Sequence, residues 1–369
     1  MNLEIKFKDN YSADGVYTIR ADDYDTAALY WADRNGALPE WTAFGYVKIE
    51  AGLGSLDFGG GRSVPFEATH VFVKAFRTSA PDCVEELFPI EREHGMECGQ
   101  SLLRCGILTD LHLTRKAGTV KWALRAAADA DCILLLGDMT NDGTNEEFRL
   151  FEDCLNETVP GIPVYCVNGN HDLMTAVDEY ADFQKRIACW KSETKNICHV
   201  AFNGIDMIGV NAGALWARDI MRITPEQLEY LDSLLGQDRD DWKIVLCHTP
   251  LSRNMPVRNG HLSKYLSRDK QLQEIIDAHE HVIFLSGHTH LSPNLDSGVV
   301  SFDSSRNNLY VNCGSIRPTE LGKEAALALP AWKEGNVVEL RIMEKALEVR
   351  MRTIHTRKWI SRGYYFINL

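Results

Sequence analysis

Five times between Leu102 and His290 an apolar run of strand length stops at a residue able to hold a metal ion. Ile107-Leu108 runs into Thr109-Asp110-Leu111-His112, and Leu134-Leu135-Leu136 into Gly137-Asp138. Tyr165-Cys166-Val167 runs into Asn168-Gly169-Asn170-His171-Asp172. Val245-Leu246-Cys247 runs into His248, and Phe284-Leu285 into Ser286-Gly287-His288-Thr289-His290. Such runs read as buried strands. Helix-like stretches fall between them, at about 120–130, 145–155, 177–190 and 268–278. Another is opened by Thr224 as N-cap, Pro225 at N1 and Gln227 at N3 as a capping box, with Gly236 placed to end it. Strands alternating with helices specify a layered α/β domain. In an open α/β sheet, sites gather outside the carboxyl ends of the strands. The five runs therefore deliver Asp, His and Asn to one rim.

One histidine pair such as His288 and His290 carries little weight, because single histidines are usually structural. The repetition carries the argument. Carboxylate, imidazole and amide oxygen together suit Mn, Fe, Zn, Co or Ni. The set is too large for one ion, and a carboxylate can bridge two. Two ions about 3.5–4 Å apart can clamp both the attacking and the leaving oxygen of an in-line displacement. Glycines at 137, 169 and 287 leave room for tight turns and close backbone approach.

Residues 1 to about 80 have a different texture. Short β-like segments (15–19, 28–31, 43–49, 70–76) alternate with turn signals such as Asp33-Arg34-Asn35-Gly36 and Gly59-Gly60-Gly61-Arg62, the pattern of a small β-sandwich. A polar, acidic stretch from Pro81 to about Gln100 reads as a linker. The division expected is 1–95 for the N-terminal module with its linker and 96–369 for the catalytic domain, which includes further strands at about 337–354. No candidate ligand comes from residues 1–95, so their removal should spare metal binding.

Charge narrows the partners. Lys+Arg 39 against Asp+Glu 52 leaves a net charge of −13, which disfavours a polyanion such as nucleic acid. The basic stretch after His248, with Arg253, Arg258 and His261, is the candidate substrate-facing loop. Asn141 is a further candidate contact, weighed against an ordinary turn role. The chain starts without a signal-like apolar segment and has no bilayer-length run. It is expected to be cytoplasmic, or exported if a leader has been removed. The ten cysteines sit mostly in apolar runs without Cys-x-x-Cys pairing and read as reduced core thiols. Oligomeric state is not legible.

Taken in order, Asp110-x-His112, Gly137-Asp138, Gly169-Asn170-His171-Asp172, His248 and Gly287-His288-x-His290 resemble the calcineurin-like metallophosphoesterase superfamily, over roughly residues 102–315. His112 departs from the purple acid phosphatases. Asn141-Asp142-Gly143 and Asp172 depart from the protein Ser/Thr phosphatases, which carry Asp-Arg-Gly and Gly-Asn-His-Glu. The pattern looks most like the class III cyclic nucleotide phosphodiesterase branch, which also holds glycerophosphodiesterases. The resemblance implies a four-layer α/β/β/α sandwich, here preceded by a small all-β domain of immunoglobulin or fibronectin-III type. It implies two divalent or trivalent transition-metal ions, with Mn, Fe or Zn expected. Asp110, His112 and His290 would hold one ion, Asn170, His248 and His288 the other, and Asp138 would bridge. His171 would bind or protonate the leaving oxygen, with Asp172 as its orienter, and a hydroxide between the metals would attack in line. The activity implied is hydrolysis of a small-molecule phosphodiester. A phosphomonoesterase, a nuclease of the same superfamily and a non-catalytic scaffold remain as alternatives.

Overall fold

The computed structural model of the chain describes residues 1–7, 13–90, 98–175, 177–214, 220–237, 241–252, 266–295, 299–318 and 334–369. Among these, two large sheets lie face to face. The first runs in the order Val164–Val167, Cys132–Leu136, Ser101–Leu108, Asn336–Met343, Ala346–Thr353, Trp359–Asn368. Its first three strands are parallel and the rest antiparallel. The second runs Ser192–Thr194, Ile197–Phe202, Ile205–Val210, Lys243–Cys247, Val282–Ser286, Asn308–Asn312, Val300–Asp303, with a parallel centre from Ile205–Val210 to Asn308–Asn312.

Side-chain alternation explains the layering. Cys132, Leu134 and Leu136 join Cys105, Ile107, Ile244, Leu246, Ile283 and Leu285 in a core between the sheets. Their neighbours Ile133, Leu135, Val245, Cys247, Val282 and Phe284 face outward into a helix-lined core. Both faces are covered, so these strands read as continuous apolar runs rather than as alternating ones. Phe148, Phe151 and Phe183 anchor the helices Asn145–Thr158 and Val177–Ile187. Their full burial is worth about 1.5–3 kcal/mol each. Leu228, Leu231, Leu272 and Ile276 do the same for Pro225–Leu235 and Asp269–Ala278. Thr224 accepts from the Gln227 backbone N–H and Gln227 reaches back, completing the capping box. Gly236 ends that helix in the right-handed region (φ −76°), so it is not the left-handed cap its identity suggested. No helix among the described residues is long and apolar enough to cross a membrane.

The described residues between 2 and 89 form two smaller antiparallel sheets. One is Asn2–Phe7, Gly15–Arg20 and Leu53–Phe58. The other is built on Thr26–Asp33, paired with Gly36–Ala37, Gly45–Lys48 and His70–Phe76, the last of which pairs Cys83–Pro89. Trp31 stacks on Phe44 at 4.1 Å between ring centroids, with Tyr17 and Phe58 around them. The strand Cys83–Pro89 corrects the linker reading of that stretch. It is an edge strand with Glu85 and Glu86 in solvent, so it lacks the alternation that marks a half-buried strand. Of the rest of the expected linker, residues 91–97 lie outside the described residues.

The last strand, Trp359–Asn368, belongs to both bodies. Ile360 and Tyr365 enter the core between the large sheets, while Tyr364 and Phe366 enter the N-terminal core. Its backbone bonds to residues 40–42 and 63: Trp359 N–H donates to the Glu40 carbonyl (2.6 Å), Thr42 N–H to Trp359 (2.9 Å) and Ser63 N–H to Tyr364 (2.9 Å).

Candidate metal centre

The five strand ends meet. Asp110 follows Ser101–Leu108, Asp138 follows Cys132–Leu136, Asn170 and His171 follow Val164–Val167, His248 follows Lys243–Cys247, and His288 and His290 follow Val282–Ser286. The loops are knitted by backbone bonds: His112 N–H donates to the Asp138 carbonyl (2.9 Å), Asp110 N–H to Gly137 (3.2 Å) and Gly287 N–H to His248 (2.8 Å). Two glycines make the approach possible. A Cβ at Gly169 would overlap Asp138 Oδ1 and its backbone nitrogen, and one at Gly287 would overlap Thr109 Oγ1 and Asp110 Oδ2.

Among the described residues, the side chains form three overlapping metal-competent groups: Asp110, His112 and His290; His112, Asp138 and His171; and Asp138, His248 and His288. Tautomers can be assigned where a carbonyl fixes them. His248 Nδ1–H donates to the Leu136 carbonyl (2.7 Å), so neutral His248 presents a lone pair at Nε2. That nitrogen stands 3.2 Å from Asn170 Oδ1, 3.4 Å from Asp138 Oδ2 and 3.1 Å from His288 Nδ1. In the same way His290 Nδ1–H donates to the Arg317 carbonyl (3.1 Å), turning its Nε2 toward Asp110 Oδ1 (3.2 Å) and His112 Nε2 (3.0 Å). Among the described residues, Asp110 Oδ1 is buried without an aligned hydrogen-bond donor. Acceptor atoms thus converge on two points, and buried acceptors need a cation or a proton between them. This donor set fits a pair of transition-metal ions.

The ionisation pattern agrees. Burial opposes charge on Asp110 and Asp138, yet the facing histidines hold both carboxyls below the usual range. Burial pushes His112 down to about 4 and His288 to about 3, leaving lone pairs at neutral pH. For His248 burial acts downward, but Asp138, Asp110 and the Leu136 carbonyl outweigh it and raise the imidazole to about 9. A proton there does what a cation would do.

The backbone is strained at the same places. Asp110, His112, Asp138, His288 and His290 all have φ between 42° and 68°. Asp and His tolerate this left-handed region better than most residues. Each such position still costs about 1–3 kcal/mol unless its surroundings over-determine it.

His171 lies beside this cluster, its ring 4.5 Å from that of His112 and its backbone N–H on Asp138 Oδ1 (2.8 Å). The expected Asp172–His171 pairing is corrected. His171 Nδ1 bonds the Asn141 carbonyl at 2.7 Å. Asp172 is fully buried and accepts from Thr140 N–H (3.0 Å), Thr140 Oγ1 (2.8 Å) and Gly169 N–H (2.9 Å). It ties two strand-end loops together. Burial and the Asp138 charge raise its carboxyl to about 6 despite those donors. Asn141 contributes its carbonyl, while its side chain turns to Asp142 (3.0 Å). Arg253, Arg258 and His261 lie outside the described residues.

A sixth strand end, not among the five that the sequence marks, braces the site. Leu309-Tyr310-Val311 runs into Asn312-Cys313-Gly314-Ser315, the same run-then-polar pattern. Asn312 accepts from Thr289 Oγ1 (2.8 Å) and donates to the Gly287 carbonyl (3.0 Å), bracing the turn that carries two histidines. Ser315 Oγ donates to the Asp110 carbonyl (3.2 Å).

The sequence profile of the calcineurin-like phosphoesterase family matches residues 103–292. The chain is 25% identical over 170 residues to a probable glycerophosphodiester phosphodiesterase, GpdQ, of Arcobacter nitrofigilis; this match covers 43% of the chain and only 56% of that protein. It is 28% identical over 209 residues to a probable cyclic nucleotide phosphodiesterase of Pseudoalteromonas sp. strain SM9913, covering 52% of the chain and 72% of that protein. Among solved structures, GAP50, the anchor in the inner membrane complex of Plasmodium, aligns at 14% identity with a TM-score of 0.45, over 73% of this chain and 90% of that one.

Proposed function

The chain belongs to the calcineurin-like phosphoesterase family, metal-dependent hydrolases of ester bonds, and from that premise we propose a two-metal phosphodiesterase acting on a small-molecule phosphodiester. The observation that carries this reading is the convergence of buried acceptor atoms on two points that share Asp138. Asp110, His112 and His290 would hold one ion, Asn170, His248 and His288 the other, with Asp138 between them. When bound, such a pair supplies Lewis acidity toward the phosphoryl oxygens and an acidified water.

The chain's own residues do the rest. The Leu136 and Arg317 carbonyls fix the tautomers that turn His248 and His290 lone pairs inward. The Asn141 carbonyl holds Nδ1–H of His171, which leaves Nε2 as the atom that gives a proton to the leaving oxygen. After that transfer His171 is a neutral tautomer still bonded to Asn141, so no group has to reorganise. Arg253, Arg258 and His261 are kept as substrate contacts in this proposal. The N-terminal module, expected over 1–95 with its linker, is kept in this proposal as an immunoglobulin- or fibronectin-III-like sandwich.

The relatives named for glycerophosphodiester and cyclic nucleotide hydrolysis support a diester substrate. The charge of −13 supports a small one. The test is metal content together with turnover of bis-p-nitrophenyl phosphate, p-nitrophenyl phosphate and cyclic AMP, with Mn²⁺ added. Close to two ions per chain and faster turnover of the diesters are expected. Preference for the monoester would overturn the diesterase assignment, and metal without any hydrolysis would favour a scaffold.

A further inference from the structure

Two arginines, Arg62 and Arg362, are 0% and 1% exposed. Desolvating a guanidinium costs several kcal/mol even after the protein relaxes, so what these two hold matters. Arg62 Nε donates to the Arg362 carbonyl (2.8 Å), its Nη1 to the Gly59 carbonyl, and its Nη2 to the carbonyls of Pro293 (3.4 Å) and Leu295. Arg362 Nε donates to the Phe44 carbonyl (2.8 Å) and its Nη1 to that of Asn294 (3.2 Å). Both guanidiniums lie against the Phe58 ring, at 5.4 and 5.3 Å. Three consecutive carbonyls, 293 to 295, are therefore held by two forks, one from the N-terminal module and one from the last strand.

That segment begins directly after His290. Leu291 is sunk in the core between the sheets, and Ser292 Oγ accepts from Asn294 N–H (3.2 Å). The turn before it has two left-handed residues, His288 (φ 68°) and His290 (φ 52°). Strained backbone persists only when held from both sides. On the amino side the strand Val282–Ser286 and Asn312 do this. On the carboxyl side the arginine clamp does.

We propose that Arg62 is a positioning residue for the metal-ligand turn, acting through residues 291–295 on His290. The N-terminal module is then part of the metal site's scaffold, against the expectation that residues 1–95 can be removed without touching it. The inference rests on the two-metal reading. Lys could not substitute fully, because it has no planar fork to serve several carbonyls at once.

The test uses the full-length chain, stripped of metal and titrated with Mn²⁺, free ion being read by EPR. Arg62→Met should weaken one of the two sites by about 10–100-fold, the range seen when a partner behind a ligand is removed, and leave the other unchanged. Arg62→Lys should fall between. The weakened site should be the one lost in His290→Ala, so combining the two changes should cost no more than His290→Ala alone. Val73→Ala, a change in the N-terminal core, sets the level for simple destabilisation and should keep both sites. Parent-like titration of Arg62→Met at a temperature where it is folded would overturn the inference, as would equal loss in Val73→Ala. If Arg62→Met does not fold, Arg62→Lys decides: two parent-like sites would overturn the inference. Should the parent itself bind fewer than two Mn²⁺ ions, the two-metal reading falls and takes this one with it.

Discussion

The half of the site around His248 and the half around His290 each bring two histidines to Asp138, with Asn170 in the first and Asp110 in the second, but they are fastened differently. His248 and Asp138 are 1% and 2% exposed, and His248 is anchored to Leu136, the last residue of a strand buried along its whole length. His290 and His112 are 19% and 10% exposed, and His290 is anchored to the carbonyl of Arg317, an exposed residue beyond the last parallel strand. One half is built into the sheet. The other is built onto it and depends on loops, the clamp at 293–295 included. A site of this kind should hold one ion tightly and exchange the other more readily, and should present the looser half to substrate.

The largest expected effect erases the comparison. Asp138→Asn removes the carboxylate that faces both halves. Leaving buried groups without their charged partner costs about 3–5 kcal/mol; felt in ion binding, about 4 kcal/mol is roughly 10³-fold in affinity, and activity should fall with the metal. Metal analysis should show both ions reduced. Full metal and full activity would mean that the halves do not share Asp138.

Next comes His171, on the side of His112. His171→Ala should lower turnover of an alkyl or nucleoside phosphodiester by about 10²-fold or more, within the range for general acids. An aryl ester should suffer much less, because p-nitrophenolate leaves without a proton. Metal content should stay near that of the parent. Equal losses on both substrates would assign His171 to the phosphoryl oxygens instead.

A third comparison sets the halves directly against each other. His248→Ala should leave a chain with little metal in either site, whereas His290→Ala should retain about one ion. The gap in affinity for the retained ion should be about tenfold or more. Identical stoichiometry in the two variants would show the halves to be equivalent.

The smallest effect falls on stability. Asp172→Asn puts an amide N–H₂ where donors already point, from Thr140 and Gly169. The expected loss is about 1–3 kcal/mol in a denaturant titration, with the preference between alkyl and aryl esters unchanged. A selective loss on alkyl esters would restore Asp172 as the orienter of His171.

How much of this was legible follows from burial. Strands covered on both faces, such as Cys132–Leu136 and Val282–Ser286, announce themselves as apolar runs, and the residue types at their ends declare their chemistry. The capping box at Thr224 was equally plain. Trp359–Asn368 was not read, because aromatic, polar and charged residues mix in it: it serves two cores, and its buried Arg362 is satisfied by carbonyls that no periodicity reveals. Asp172 was misassigned for a related reason. Adjacency in sequence suggested a pair, but the short helix His171–Leu173 turns the two side chains to different partners. The left-handed backbone at five candidate ligands had no sequence signature beyond a tolerance shared by many Asp and His residues. Asn312 and Ser315 could have been found, since they repeat the pattern that marked the other five strand ends.

The dual membership of Trp359–Asn368 also sets an order of events at the ribosome. Ser361 bonds Thr42 across 319 positions of chain, and Ser63 bonds Phe366 across 303. At translation rates of about 5–20 residues per second, residues 40–63 are made roughly 15–65 s before the strand that completes their core. During that interval the nascent N-terminal sheets lack Tyr364 and Phe366, and their apolar face stays open to chaperones. A stalled or truncated chain that ends before Trp359 should be recovered bound to such factors, while one ending at Leu369 should not.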